Sequence, residues 1–149
     1  MKRVFVRTQN VKNFIGLVEN LINKPQNIPK IGLVYGEPGL GKSQTALWLS
    51  AKYDGVYLRC SNLMTGRWLL EELVKELDEI PRYLTSDNFN TCMKKLKENP
   101  QIIIIDEIDY LINDKRAIET LRDIHDETNC PIVFVGMGFA HKKIERYKH

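Results

Sequence analysis

The sequence predicts an α/β fold, in which helices cover both faces of a mostly parallel β-sheet. Short aliphatic runs alternate along the chain with longer segments whose apolar residues recur every three or four positions. The runs are too short for helices and too apolar for surface strands, so they are typical of strands buried on both faces. Parallel strands need crossover connections, and the intervening helices supply them while they cover the sheet.

Each element follows from this alternation and from the residues that begin and end it. Four strands are predicted, over Ile31–Tyr35, Val56–Leu58, Ile102–Ile105 and Ile132–Val135. Six helical segments are predicted. The first is capped by Thr8 or Asn10 and ended by Pro25, and the second spans Lys42–Lys52. The third has an apolar stripe from Leu69 to Ile80 and is stopped by Pro81, the fourth is capped by Ser86 and ends at Asn99, the fifth is capped by Asp114, and the sixth starts at about Phe139.

The composition limits the class of protein. With 149 residues, of which 43% are hydrophobic and 28% charged, the chain is expected to form one domain with one sizeable core. The longest aliphatic run, Ile102–Ile105, is far shorter than the ~18 residues of a membrane span, and no apolar leader follows Met1. Cys60, Cys92 and Cys130 form no C-x-x-C pair, which favours reduced core thiols over disulfides or a zinc site. A soluble, cytoplasmic protein without membrane contact is expected.

The charge distribution gives little indication of a polyanionic partner. A net charge of +3 is too small to indicate a polyanionic partner by itself. Lys94, Lys95 and Lys97 form one basic cluster, and a second lies within residues 142–148. A solvated helix face is favoured for such clusters, with a nucleic-acid surface as the alternative.

The stretch GEPGLGKS follows the first buried strand and begins a predicted helix. Its glycines let the chain turn tightly, so that successive backbone N–H groups form a concave anion site at a helix N-terminus. Lys42 would contact the β- and γ-phosphates, and the hydroxyl of Ser43 would bind Mg²⁺. The alternative, a glycine-rich turn that matches by chance, is disfavoured by the strand and helix around it. The predicted nucleotide-binding residues are Gly36, Glu37, Pro38, Gly39, Leu40, Gly41, Lys42, Ser43 and Gln44.

A second motif, IIIIDEID, lies about sixty residues downstream. Its isoleucines predict a central strand, and Asp106 leaves the carboxyl end of that strand, where ligands bind in parallel sheets. We expect Asp106 to hold Mg²⁺ through water, opposite Ser43. Glu107 would orient or deprotonate the attacking water, so that Glu107 and Lys42 are the predicted catalytic residues. An acidic turn that only solubilises a strand end is the alternative, which the first motif disfavours.

Together the two motifs resemble those of the AAA+ ATPases, and the resemblance extends from about Val4 to Val135. It implies a three-layer P-loop NTPase core that binds ATP and Mg²⁺ and hydrolyses ATP to ADP and phosphate. The segments VFVRTQNVKNFIGLVENLI and MTGRWLLEELVKELDEIP are similar to the subgroup that contains transposition protein B of phage Mu. That similarity implies a DNA-binding ATPase that assembles on double-stranded DNA as an ATP-dependent homo-oligomer and stimulates a transposase.

Two departures from the family pattern are expected to slow hydrolysis. The strand after the acidic pair continues into Met137, whereas the family usually has a polar residue there that senses the γ-phosphate. Ser61 or Asn62 is the expected substitute. The chain also ends before the fifth strand, arginine finger and helical lid of the family, so residues 1–149 are expected to be a single incomplete core that is monomeric as it stands. Arg146 is interpreted as a surface arginine rather than as that finger.

Several residues leave alternatives open. By resemblance, Val4–Val6 would pack on the adenine, but an apolar edge strand or a plain core contact explains them equally well. Trp48 and Trp68 are predicted on helix packing faces. The three histidines, at positions 125, 141 and 149, lack companions at metal-ligand spacing, so a solvated or capping role is predicted rather than zinc.

Three functions fit these observations. The first is a Mg²⁺-dependent ATPase of the DNA-transposition type. The second is a different AAA+ ATPase, such as a helicase loader or a replication initiator. The third is a switch that binds ATP with little turnover.

Overall fold

The computed structural model describes the backbone of residues 3–7 and residues 11–25, 28–36 and 41–137 in full. Its elements are β1 (Arg3–Arg7), α1 (Val11–Ile22), β2 (Ile31–Tyr35), α2 (Lys42–Lys52), β3 (Val56–Arg59), α3 (Gly66–Glu76), α4 (Thr85–Glu98), β4 (Ile103–Asp106), a single 3₁₀ turn (Ile108–Tyr110), α5 (Lys115–Thr128) and β5 (Ile132–Gly136).

The five strands form one sheet in the order β1-β2-β5-β4-β3, and each neighbouring pair is parallel. The predicted α/β class with a parallel sheet is therefore confirmed. Because every strand runs the same way, the carboxyl ends of all five lie at one edge of the sheet. We call this side of the molecule the carboxyl edge.

Helices cover both faces of the sheet, as a three-layer fold requires. Helices α1 and α2 pack on one face, where residues such as Val18, Leu49 and Ile104 form a buried cluster. Helices α3, α4 and α5 pack on the other face, over a larger cluster that includes Leu73 and Ile105. Alternate residues of the interior strands serve the two clusters, since successive side chains of a strand point to opposite faces.

Strand β1 pairs with β2 in parallel, with Arg3 beside Ile31 and Arg7 beside Tyr35. It forms one edge of the sheet, which confirms the edge-strand alternative for Val4–Val6. The adenine contact depends on side chains that lie outside the described residues, so it stays a prediction. The predicted helix caps Thr8 and Asn10 and the helix from Phe139 also lie outside them.

Two predicted helix ends are wrong. Helix α3 ends at Glu76 rather than at Pro81, and Asp78 adopts a left-handed conformation with a φ of 62°. Ile80 is therefore not part of the buried stripe, and 86% of its surface is exposed. Helix α4 begins at Thr85, so Ser86 lies inside its first turn and does not cap it. The side chain of Asn88 instead holds the preceding loop, because it accepts a hydrogen bond from the backbone N–H of Arg82 and donates one to the carbonyl oxygen of Arg82.

The packing of two tryptophans differs from expectation, and a histidine has one of its two predicted roles. Trp48 and Trp68 are 51% and 38% exposed, so neither belongs to a buried packing face. His125 is buried rather than solvated, and its Nε2 accepts a hydrogen bond of 2.9 Å from the backbone N–H of Lys30. That bond caps a backbone donor of the segment leading into β2, so of the two predicted roles the capping one is found.

Other predictions hold. Asp114 caps α5 by accepting a hydrogen bond from the N–H of Ala117, and all three cysteines are free and buried. On α4, Lys95 and Lys97 form ion pairs with Glu79 and Glu127, as a solvated helix face predicts. Among the described residues, no helix combines the length and the apolar character needed to cross a membrane.

Candidate nucleotide site

The predicted site residues lie at the carboxyl edge. Gly36 directly follows β2, and Gly41 immediately precedes α2, which begins at Lys42. Asp106 is the last residue of β4, and Glu107 follows it. The parallel sheet thus brings the two motifs to one edge. Glu37, Pro38, Gly39 and Leu40 lie outside the described residues, so their role stays a prediction.

The end of the glycine loop has the backbone that the motif requires. Gly41 has a φ of 75°, a left-handed conformation that favours glycine, and it immediately precedes the first turn of α2. The Nζ of Lys42 donates a hydrogen bond of 3.0 Å to the carbonyl oxygen of Gly36, across the start of the loop. Ser43 is half-buried and Gln44 is exposed in the same turn. The ammonium group therefore lies beside the loop that is expected to bind phosphates.

Asp106 is 2% exposed, and each of its carboxylate oxygens accepts a hydrogen bond. The backbone N–H of Glu107 donates to Oδ1 at 2.8 Å, and the hydroxyl of Tyr57 donates to Oδ2 at 2.5 Å. A hydrogen bond to a charged group contributes about 1.5–3 kcal/mol, so these bonds offset part of the cost of burying the charge. Burial and the bond to Asp106 both raise the pKa of the Tyr57 phenol, which therefore stays a donor at neutral pH.

Glu107 forms an ion pair with an arginine of the neighbouring strand. It has a φ of 53°, a left-handed conformation that is uncommon for a residue with a side chain. Its two carboxylate oxygens accept hydrogen bonds from Nε and one terminal nitrogen of Arg59, at 3.1 and 3.3 Å. These bonds to Glu107 raise the pKa of the Arg59 guanidinium. The predicted base is thus half of an ion pair in this structure.

Two polar atoms near the acidic pair are buried without a hydrogen-bond partner among the described residues. They are the hydroxyl of Ser61 and Oδ1 of Asp109. The other oxygen of Asp109 accepts a bond of 3.0 Å from the backbone N–H of Met137, and burial raises the pKa of this carboxyl while the charge of Lys42 opposes that rise. Unsatisfied buried polar atoms are rare in native proteins, so these two atoms are candidates for contact with a bound ligand, ion or water.

These donor groups suit Mg²⁺. Carboxylate and hydroxyl oxygens are the ligands that Mg²⁺ prefers, and it usually takes one or two of them from the protein and the rest from phosphate and water. Asp106 and Ser43 fit that pattern. The part of the chain that the structure describes holds no cluster of three His, Cys, Asp or Glu side chains for a metal bound by protein alone.

Sequence reasoning missed three residues at this site. Tyr57 and Arg59 lie on β3 and contact the acidic pair because β3 and β4 pair with Arg59 beside Asp106. Asp109 links the 3₁₀ turn to the end of β5. The sequence predicted a strand over Val56–Leu58, which contains Tyr57 and ends just before Arg59, but the pairing register of strands some fifty residues apart is not encoded in a local pattern.

A glycine-containing loop between a strand and a helix, a lysine beside it, and an acidic pair at the end of an interior strand together define a P-loop nucleotide-binding protein. A family model described as an AAA domain matches residues 27–144, which is more than half of the chain. The chain belongs to the AAA family of P-loop ATP-binding proteins.

Two similar proteins extend this comparison. A protein of Staphylococcus aureus described as a potential ATP-binding protein is 25% identical, over 96% of this chain and 62% of its own length. The solved structure of the Aeropyrum pernix ORC1 protein in complex with DNA superposes with a TM-score of 0.69 at 15% identity, over 92% of this chain and 40% of that one. The second match shows the fold alone. The chain spans less than two thirds of the length of either protein.

Proposed function

We propose that this protein binds ATP with Mg²⁺ and hydrolyses it to ADP and phosphate. The observation that carries the proposal is that Lys42, the buried Asp106 and the adjacent Glu107 all lie at the carboxyl edge of the sheet. Lys42 and the backbone N–H groups of the loop would hold the phosphates, and Ser43 and Asp106 would hold the metal. When bound, Mg²⁺ would neutralise charge between the β- and γ-phosphates. Glu107 would orient the attacking water.

Slow turnover by the isolated chain is part of this proposal. Both oxygens of Glu107 accept hydrogen bonds from Arg59, so this ion pair competes with the attacking water for the carboxylate. The same observation favours a second candidate function, a switch that binds ATP with little hydrolysis. Ser61 is the proposed partner for the γ-phosphate or its water, because its buried hydroxyl has no hydrogen-bond partner among the described residues.

We further propose that the nucleotide state controls assembly on double-stranded DNA as a homo-oligomer that stimulates a transposase. The similarity of residues 4–22 and 64–81 to the transposition subgroup supports this role. DNA as a partner is also supported by the structural neighbour, the Aeropyrum pernix ORC1 protein, which was solved in complex with DNA. A helicase loader or a replication initiator would share the ATP and DNA requirements and differ in its protein partner.

Nucleotide binding is tested with a fluorescent ATP analogue and Mg²⁺. We expect Lys42→Ala to weaken binding by at least about tenfold, since a hydrogen bond to a charged group contributes about 1.5–3 kcal/mol. Lys52→Ala is the matched control, because Lys52 lies at the opposite end of α2 and pairs with Glu19. Equal affinity of Lys42→Ala and the unchanged protein would contradict the phosphate-binding role.

Hydrolysis is tested by phosphate release with and without double-stranded DNA. We expect Glu107→Gln to bind the analogue normally and to lose turnover by about 10²-fold or more, as for other general bases. Stimulation by DNA supports the DNA-directed ATPase, whereas tight binding without turnover under both conditions supports the switch. Light scattering with and without ATP then tests the proposed oligomer, and addition of a candidate transposase tests the partner.

A further inference from the structure

Tyr57 reaches the acidic pair from the neighbouring strand. Strands β3 and β4 pair with Tyr57 beside Ile104, which places the tyrosine two residues away from the position opposite Asp106. Its ring packs against the cluster under α1 and α2, and its hydroxyl donates a hydrogen bond of 2.5 Å to Oδ2 of Asp106. The ring therefore spans the distance from the core to the carboxyl edge, where α2 begins.

The hydroxyl of Tyr57 affects the orientation of the Asp106 carboxylate, which is poorly defined without hydrogen bonds. The terminal torsion of an Asp side chain has a broad energy minimum, so the plane of the carboxylate is set by its hydrogen bonds. Among the described residues, each oxygen of Asp106 accepts one bond, from Glu107 N–H at Oδ1 and from Tyr57 at Oδ2. The carboxylate plane is fixed by these two donors together. Each oxygen keeps a second lone pair that can accept a bond from metal-bound water.

We propose that Tyr57 is a positioning residue for the divalent cation of the nucleotide site, because its hydroxyl holds the Asp106 carboxylate in the orientation that receives the metal's water. This inference rests on the proposed function, in which Asp106 serves Mg²⁺. Groups that orient metal-binding side chains commonly change metal affinity by 10–100-fold when they are removed. The hydroxyl of Tyr57 has this role toward Asp106, and its ring has a separate role in packing.

Tyr57→Phe separates the two roles, since it removes the hydroxyl and keeps the ring. Tyr53→Phe is the matched control: Tyr53 packs against the same cluster and lies over the ammonium group of Lys52 rather than beside Asp106. The probe is a fluorescent ATP analogue, titrated at a series of Mg²⁺ concentrations and in EDTA. We expect Tyr57→Phe to raise the half-saturating Mg²⁺ concentration by about tenfold while the affinity in EDTA is unchanged. Tyr53→Phe should match the unchanged protein in both.

Three outcomes would overturn the inference, and they are distinguishable. If the unchanged protein shows the Mg²⁺ effect and Tyr57→Phe shows the same half-saturating concentration, Tyr57 does not position Asp106. If Tyr57→Phe weakens binding equally with Mg²⁺ and in EDTA, its role is structural only. If the unchanged protein shows no Mg²⁺ effect, the metal part of the proposed function fails and this inference fails with it.

A double substitution adds a second criterion. Because Tyr57 is proposed to act through Asp106, Tyr57→Phe should have no further effect on the Mg²⁺ dependence in an Asp106→Asn background. Independent effects of the two substitutions would overturn the inference. Thermal unfolding of each variant without nucleotide shows that the compared proteins are folded.

Discussion

Arg59 and Glu107 form the contact at this site that bears most directly on catalysis. Both side chains are partly exposed, at 62% and 37%, so water and salt weaken their attraction. The pair nevertheless satisfies both oxygens of Glu107. A water that Glu107 is to orient must compete with Arg59 for these oxygens, so Arg59 is expected to hinder the predicted base.

Removal of Arg59 should therefore speed basal hydrolysis. We expect Arg59→Ala to raise turnover a few-fold and no more, because exposed ion pairs are weak. Affinity for the ATP analogue should stay unchanged. Phosphate release measures the first quantity and analogue titration the second. Arg67→Ala is the control, since Arg67 is an exposed arginine paired with Glu71 on α3; a loss of turnover in Arg59→Ala alone would show that the ion pair supports catalysis instead.

The buried thiols predict a dependence of stability on alkaline pH. Burial raises the pKa of Cys92 from 9.0 to about 12. Between these values the unfolded chain has lost the proton and the folded chain keeps it, so the free energy of unfolding falls as the pH rises from about 9 to 12. One such group contributes a slope of up to about 1.4 kcal/mol per pH unit.

Urea unfolding at pH 8, 9.5 and 10.5 measures that slope. Cys92→Ala should have a shallower slope than the unchanged protein, because the substitution removes one of the titrating groups. Cys60, whose pKa burial also raises to about 12, contributes with the same sign and remains in both proteins. Identical slopes for the two proteins would contradict the assignment.

At the scale of elements, two glycines outside the nucleotide loop should respond to alanine in opposite ways. A Cβ at Gly55, between α2 and β3, would lie 2.4 Å from Cγ2 and 2.6 Å from the carbonyl oxygen of Ile102. We expect Gly55→Ala to destabilise the fold by about 1–3 kcal/mol, as other overpacking substitutions do. Gly16 is exposed in the middle of α1 with no atom within 4 Å of the added group, so Gly16→Ala should stabilise by up to about 1 kcal/mol.

Urea unfolding of the two alanine variants compares these effects directly. Gly16→Ala controls for the change in unfolded-chain entropy that both substitutions share. If Gly55→Ala were neutral or stabilising, the close approach of Ile102 to Gly55 would be wrong.

The first and last residues of a helix were predictable where a local chemical signal marks them. Helix α2 spans the predicted Lys42–Lys52, and Asp114 caps α5 as expected. The end of α3 was not predictable, because the spacing of Leu77 and Ile80 continues the apolar period after the helix has stopped. Periodicity indicates which residues would face a core if a helix continued. It does not indicate whether a neighbouring element is there to cover them.

At the scale of the whole molecule, the sheet couples its two helical layers. Trp48 lies on α2 on one face, and Trp68 lies on α3 on the other. The interior strands contribute alternate residues to both clusters, so neither layer keeps its packing surface if the sheet unfolds. The fold should therefore behave as one cooperative unit.

Single-tryptophan variants test this coupling. Trp68→Phe leaves Trp48 as the fluorescent reporter of the α2 layer, and Trp48→Phe leaves Trp68 as the reporter of the α3 layer. Both residues are partly exposed, so the substitutions should cost little stability. In each variant we expect the urea midpoint by fluorescence to coincide with the midpoint by far-ultraviolet circular dichroism. A fluorescence transition that precedes the other in one variant would show that its layer unfolds separately.

The sequence by itself determined the α/β class, and it marked the glycine loop and the acidic pair as the candidate site. Each of these depends on consecutive residues: glycines and a lysine at a strand-to-helix turn, carboxylates at a strand end, and the alternation of apolar patterns. Only the tertiary structure decided which side chains surround the acidic pair. The strand order and the register of β3 against β4 bring Tyr57 to Asp106 and Arg59 to Glu107. That register results from packing across the whole sheet, and a shift by one residue would turn every side chain of β3 to the other face.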